Sequence, residues 1–191
     1  MKKLMIAAAV VCATACVQAA SVYWTCTNVY AGNADDKVAA GSLAYFMVTD
    51  ATDGMSIADA KALAGKGATK VSEALSGKYS FTASAEGTFS VGSPGVANAT
   101  LGLKDSTAYT AYLVIFDTET ITDASKFYIT STKDFSTLAG DSTAQAGIGS
   151  QSAKGSKTTA SWYAVGAVPE PTSAMLLVLG LAGLALRRRR A

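Results

Sequence analysis

Residues 78–92 read KYSFTASAEGTFSVG, and no other stretch restricts the fold as much. Tyr79, Phe81, Ala83, Ala85, Gly87, Phe89 and Val91 hold the odd positions, and Ser80, Thr82, Ser84, Glu86, Thr88 and Ser90 the even ones. Successive side chains of a strand point to opposite faces, so this period of two makes a strand or hairpin with one dry and one wet face. The same residues on a helix would be scattered around its circumference. Ala85-Glu86-Gly87 is expected to turn, and Pro94-Gly95 to close the segment.

Neighbouring segments follow the same logic. Residues 107–119, TAYTAYLVIFDTE, are apolar at both parities between Tyr109 and Phe116, the pattern of a central strand covered on both faces. KFYITSTKDF at 126–135 alternates again, with Phe127 and Ile129 opposite Tyr128 and Thr130. Further strands are expected at 22–29, 43–49, 100–103 and 161–165. One helix interrupts them, in GMSIADAKALAGKG at 54–67, where Ser56 is placed to cap and Asp59 stands three residues later. Ile57, Ala60 and Leu63 or Ala64 share a face there, and Gly65 or Gly67 ends the helix. A second short helix is expected over 69–75. About seven strands with one or two short helices define a mostly β body, a sandwich or jelly-roll-like domain. Residues 141–160 are small and polar and read as a loop or flexible run, whose hydroxyls could alternatively carry sugars. No fixed-period repeat is present, which argues against a solenoid.

Hydrophobic residues make up 50% of the 191, but the two ends inflate that figure. Residues 21–168 hold 10 lysines against 13 acidic residues, a net charge of −3. A mildly acidic body has no basic stripe to track a phosphate backbone, so no nucleic-acid partner is expected.

The N-terminus, MKKLMIAAAVVCATACVQAA, has two lysines, an apolar run from Leu4 to Val17, and small residues before Ser21. These are the three parts of a signal peptide, with cleavage by signal peptidase after Ala19 or Ala20. Lipid attachment at Cys16 is the alternative, although Ala13 stands where lipoprotein signals usually carry Leu. Removal of the signal takes Cys12 and Cys16 and leaves Cys26 alone, so no internal disulfide supports the mature fold. Cys26 is expected to act as a small buried hydrophobe rather than a reactive thiol.

The other end reads VPEPTSAMLLVLGLAGLALRRRRA from Val168. Residues 174–186 carry no charge and, as a helix at 1.5 Å per residue, extend about 20 Å, short of the roughly 30 Å hydrocarbon core. Extension back to Thr172 and snorkelling of the arginine stems make a single transmembrane helix feasible. Arg187, Arg188, Arg189 and Arg190 fix its sense, with the positive end cytoplasmic and the body outside. Pro169 and Pro171 hold the preceding chain extended and display Glu170 just above the lipid.

Pro169-Glu170-Pro171, a short apolar helix and a terminal arginine cluster, in that order, resemble the PEP-CTERM sorting domain of Gram-negative bacteria. The resemblance covers the last 24 residues and implies recognition by an exosortase, a membrane-embedded cysteine-peptidase-like enzyme that cuts near the PEP motif. Carried over, Pro169, Glu170 and Pro171 are the sorting motif and Arg187 to Arg190 the stop-transfer charge. It also implies delivery to the cell surface or to exopolysaccharide. A plain single-pass anchor with a proline stalk is the competing account. The chain thus divides into a signal peptide at 1–20, a β-rich extracytoplasmic body at 21–167 and a sorting signal at 168–191, membrane-anchored only before processing.

Reaction chemistry is hard to place on this chain. It has no histidine, which removes Ser-His-Asp and Cys-His mechanisms and the commonest metal ligand. No nucleophile elbow, Walker loop or Cys-x-x-Cys occurs. Asp35, Asp36, Asp50, Asp53, Asp117 and Glu119 are the candidates for a glycosidase-type acid pair, yet they lie beside turns. Asp50 and Asp53 flank a turn without the ligand density of a Ca²⁺ loop. Asn98-Ala99-Thr100 matches a glycosylation sequon. Trp24, Trp162 and Tyr163 are the candidates for stacking on sugar rings. The expectation is an exported non-enzymatic protein without cofactor or metal; a carbohydrate-binding module is the second reading and a small glycosidase the third.

Overall fold

The computed structural model of the chain describes residues 20–31, 36–150 and 162–166. Ten strands are described: β1 (Ser21–Thr27), β2 (Leu43–Val48), β3 (Ser80–Thr82), β4 (Phe89–Ala97), β5 (Ala108–Phe116), β6 (Lys126–Ile129), β7 (Lys133–Ser136), β8 (Thr143–Gln145), β9 (Gly149–Ser150) and β10 (Trp162–Ala164). Two helices, α1 (Ile57–Lys61) and α2 (Ala68–Leu75), complete a mostly β fold. A six-stranded sheet runs β10-β6-β5-β2-β3, with β7 also on β5; a four-stranded sheet runs β4-β1-β8, with β9 also on β1.

β5 explains the layering. Ala111, Leu113 and Ile115 enter one core, shared with Val22, Trp24 and Cys26 of β1, so the two sheets pack face to face. Tyr112, Val114 and Phe116 enter a second core with Ala60, Leu63, Val71 and Leu75 of the helical segment. All six β5 side chains are fully buried, and each contributes on the order of 1.5–3 kcal/mol for the larger apolar ones. Doubly apolar β5 is therefore covered by a sheet on one face and by helices on the other. β1 has its outer face open and accordingly alternates Val22, Trp24, Cys26 inward with Tyr23, Thr25, Thr27 outward. This two-sheet arrangement is consistent with a sandwich.

The helix starts at the Ser56 cap as expected but ends at Lys61, one turn before Gly65. Ser56 Oγ accepts from the Asp59 amide at 3.1 Å and donates to Asp59 Oδ2 at 2.7 Å. Asp, one methylene shorter than the usual Glu, accepts this bond from the hydroxyl. Ala60 and Leu63 are buried, with Ile57 and Ala64 packed beside them.

Several expectations are corrected. The 79–91 segment keeps its period of two but is a corner between sheets: β3 pairs with β2, and β4 pairs with β1. An Ala85–Thr88 bridge turns the chain between them. Pro94-Gly95 lies inside β4, in a bulge where two steps along β1, Val22 to Trp24, face five along β4. Gly95 has φ +82°, and a Cβ there would come 2.3 Å from the Val22 carbonyl oxygen. Residues 98–101 form a 3-10 turn where a strand was expected from 100. Asn98, only 3% exposed, pins it by donating through Nδ2 to Asp105 Oδ1 (2.7 Å) and to the Leu138 carbonyl (3.3 Å). KFYITSTKDF is two strands, because the Thr130 hydroxyl accepts from the Leu113 amide (2.9 Å) and steps the chain off the ladder. Within 141–160, residues 143–145 and 149–150 are strands parallel to β1, and Ala144, Ala146 and Ile148 are buried.

Among the described residues no helix is long and apolar enough to cross a membrane. Residues 1–19 of the signal expected at 1–20, the expected span at 174–186 and residues 151–161 lie outside the described residues.

Candidate functional site

Trp24 is fully buried, its ring stacked on Phe46 (centroids 3.9 Å, 17°) and met edge-on by Tyr79 and Phe81. A ring with both faces covered cannot receive a sugar, so the stacking role considered for Trp24 is withdrawn. Trp162 and Tyr163 are half-buried neighbours on β10, and strand geometry sends them to opposite faces. Trp162 packs with Tyr128 on the sheet–sheet side (centroids 5.7 Å), and its Nε1 donates to the Tyr30 carbonyl at 3.0 Å. Tyr163 stacks on Phe127 on the helix side (5.3 Å). They form no joint platform.

Two clefts open near these elements. One, about 100 Å³, lies by the 3-10 turn and is walled by Phe46, Tyr79, Asp53, Lys78 and Leu101. Lys78 Nζ is tied to the Asp53 carbonyl there. The other, about 290 Å³ and open, lies between α1 and β6, lined by Ile57, Lys61, Tyr128, Thr130, Ser131 and Tyr163. Asp53 is the one carboxylate lining the first, and none lines the second.

The remaining acids are used locally. Asp117 Oδ1 accepts from the Lys126 amide (2.8 Å), Asp50 accepts from the Thr49 hydroxyl (3.0 Å), and Glu119 lies over Gly41. The Asp36 carbonyl accepts from the Ala31 amide at 2.8 Å, and Asp35 lies outside the described residues. No group of three or more Cys, Asp and Glu side chains among the described residues is arranged to hold a metal. Asn98 of the sequon is buried with its amide engaged, which closes it to a glycan.

Cys26 is fully buried, and desolvation pushes its thiol from 9.0 up to about 12. Burial first, then the nearby Asp59 carboxylate, raises Tyr112 as well; its hydroxyl donates to the Met55 carbonyl at 2.7 Å. Both groups stay neutral in the fold where the unfolded chain ionises. Stability contributed by the buried Cys26 is therefore intact below about pH 9 and is lost as pH rises toward about 12, at up to about 1.4 kcal/mol per unit. We expect Cys26 to resist thiol reagents until the body unfolds, and Cys26→Ala to flatten the alkaline loss seen in urea titrations.

Around β10 the structure holds a feature with no counterpart in the sequence reading. Gly65 N donates to the Ala164 carbonyl (2.9 Å) and Gly67 N to that of Val165 (2.8 Å). From the other side, Val165 N donates to the Ser125 carbonyl (3.0 Å) and Gly166 N to that of Asp123 (3.0 Å). The Asp123 carboxylate also caps α2, accepting from the Ala68 amide at 2.7 Å. Val165 is fully buried between the two flanks. Gly65 and Gly67, two glycines closely spaced after a helix, were the available signal, and both adopt positive φ.

The clamped strand leads straight into the C-terminal tail. Residues 167–190 match the family model of the PEP-CTERM protein-sorting motif. The chain carries that motif, and with it the requirements of an exported protein processed at the membrane by an exosortase. No curated protein and no solved structure matches the chain. Pro169, Glu170, Pro171 and Arg187 to Arg190 all fall within the matched residues and outside the described ones.

Proposed function

We propose that the protein is an exported, non-enzymatic surface or matrix component whose tail is removed by an exosortase at the PEP motif. The match of residues 167–190 to the sorting motif carries the reading. Signal peptidase acts first, after Ala19; the Ala20 carbonyl accepts from the Asn98 amide at 2.7 Å, a bond that a cut after Ala20 would forfeit. The arginine-ended span halts the precursor in the inner membrane, the exosortase cleaves near Pro169, and the body passes to the cell surface or its exopolysaccharide. The body is then a stable module to be retained outside the cell.

Fractionation of the native host tests this reading. The mature protein should co-sediment with surface polysaccharide and appear in the medium of a strain that makes none; equal partitioning in the two strains would remove the matrix assignment. Carbohydrate binding is the second reading, favoured by the half-buried Tyr128 and Trp162 rings, whose centroids lie 5.7 Å apart. The same fractionation on Trp162→Ala separates the readings, because only ring stacking makes retention depend on that indole.

A further inference from the structure

The clamp around residues 164–166 ends three residues before Pro169. Three residues span at most about 11 Å fully extended, and the six from Gly166 to Thr172 span about 20 Å. A body of this length is roughly 35–40 Å across, from the scaling of radius of gyration with chain length. Whatever conformation the connecting residues take, the folded body therefore sits closer to the membrane surface than its own width. An enzyme that grips residues 169–171 meets the body at the clamp, with no stalk to hold the two apart.

We propose that the rim of this clamp, formed by Lys66, Ala124 and Lys126, is a docking surface for the membrane-embedded exosortase that holds the PEP motif. The proposal rests on reading the tail as an exosortase signal. All three side chains are exposed, and each adjoins a backbone bond of the clamp: Lys66 lies between Gly65 and Gly67, Ala124 between Asp123 and Ser125, and Lys126 opposite Ala164. The clamp is closely packed at Gly166. A Cβ at Gly166 would come 2.4 Å from the Asp123 carbonyl oxygen, so this close approach admits glycine alone without movement. The rim therefore lies within three residues of chain, at most about 11 Å, of Pro169, and the surface read by the enzyme extends from the tail onto the body. A lipid surface alone would not need that proximity, because the arginine-ended span already supplies the anchor.

The alternative is that β10 peels away to lengthen the reach, and the two differ in outcome. Full-length precursor is followed by pulse-chase in a host that has its exosortase. Lys126→Cys with Ala164→Cys, cross-strand partners, locks β10 to β6 through a disulfide whose formation is read on a non-reducing gel. Cleavage of the locked precursor within about twofold of the same variant kept reduced is expected; a block relieved by reductant would overturn the proposal. Lys66→Glu with Ala124→Trp should slow cleavage about tenfold or more, the equivalent of about 1.4 kcal/mol of lost contact. Cys26 protection verifies that this variant is folded. Wild-type cleavage of the rim variant would also overturn the proposal. Glu170→Ala distinguishes the levels: if it is uncleaved while the rim variant is cleaved normally, the sorting signal stands and the docking surface falls. If Glu170→Ala is cleaved normally, both fall.

Discussion

Glu170→Ala should leave the precursor full-length and membrane-bound, with cleavage slowed by about 10–100-fold, the factor that corresponds to losing a charge-assisted hydrogen bond of about 1.5–3 kcal/mol. The size of the effect follows from isolation. Glu170 is the one charged residue between Ala167 and Leu186, flanked by two prolines, whose restricted φ favours an extended backbone. A peptidase site built to pair with that carboxylate is left with unsatisfied donors when the side chain ends at Cβ, and such sites reject the truncated analogue strongly. Glu170→Gln keeps the shape and half the hydrogen bonding, so it should fall between. Pro171→Ala removes only preorganisation, about 0.4–1 kcal/mol, and should slow cleavage a few-fold. The ratio of full-length to trimmed protein in a pulse-chase reads all three.

Trp24→Ala should cost about 3–5 kcal/mol of body stability, the range for deleting a fully buried aromatic. Trp24 sits on β1, which pairs with β4, β8 and β9 and so holds the four-stranded sheet together. Its ring also stacks on Phe46 of the opposite sheet, so a single side chain joins the two layers. Domains of this size are stable by about 5–15 kcal/mol, and losing 3–5 leaves a body prone to proteolysis during export. Its indole Nε1 has no hydrogen-bond partner among the described residues. Trp24→Phe removes that orphan donor, which offsets part of the lost volume, and should cost markedly less than alanine. Urea unfolding of the body measures both.

What could be read from the sequence depended on contrast between side chains. β5 was legible because six of the eight residues from Tyr109 to Phe116 are large and apolar or aromatic, interrupted only by Thr110 and Ala111. Ser56 was legible because a cap is a local bond between residues three apart. β8 was missed although Ala144, Ala146 and Ile148 alternate, since alanine against serine or glycine gives almost no hydrophobic signal, and their partner β1 lies about 120 residues away. The 79–91 segment gave its buried face correctly but not its partners, because a period of two specifies a face and leaves the pairing to tertiary contacts. Asn98 matched a sequon by its letters alone; its short polar side chain pins a turn from inside. Trp24 and Trp162 were indistinguishable as letters, and only packing separated a core ring from an edge ring. For the tail the order of parts carried the information, so the sorting motif was readable where the clamp before it was not.

The mass of the wild-type protein released from its native host tests the central claim most directly. The account predicts a single species that begins at Ala20 and ends close to Pro169, without the apolar run or the arginines. A mature protein that keeps Leu186 and Arg187 to Arg190 and stays in the inner membrane would contradict it.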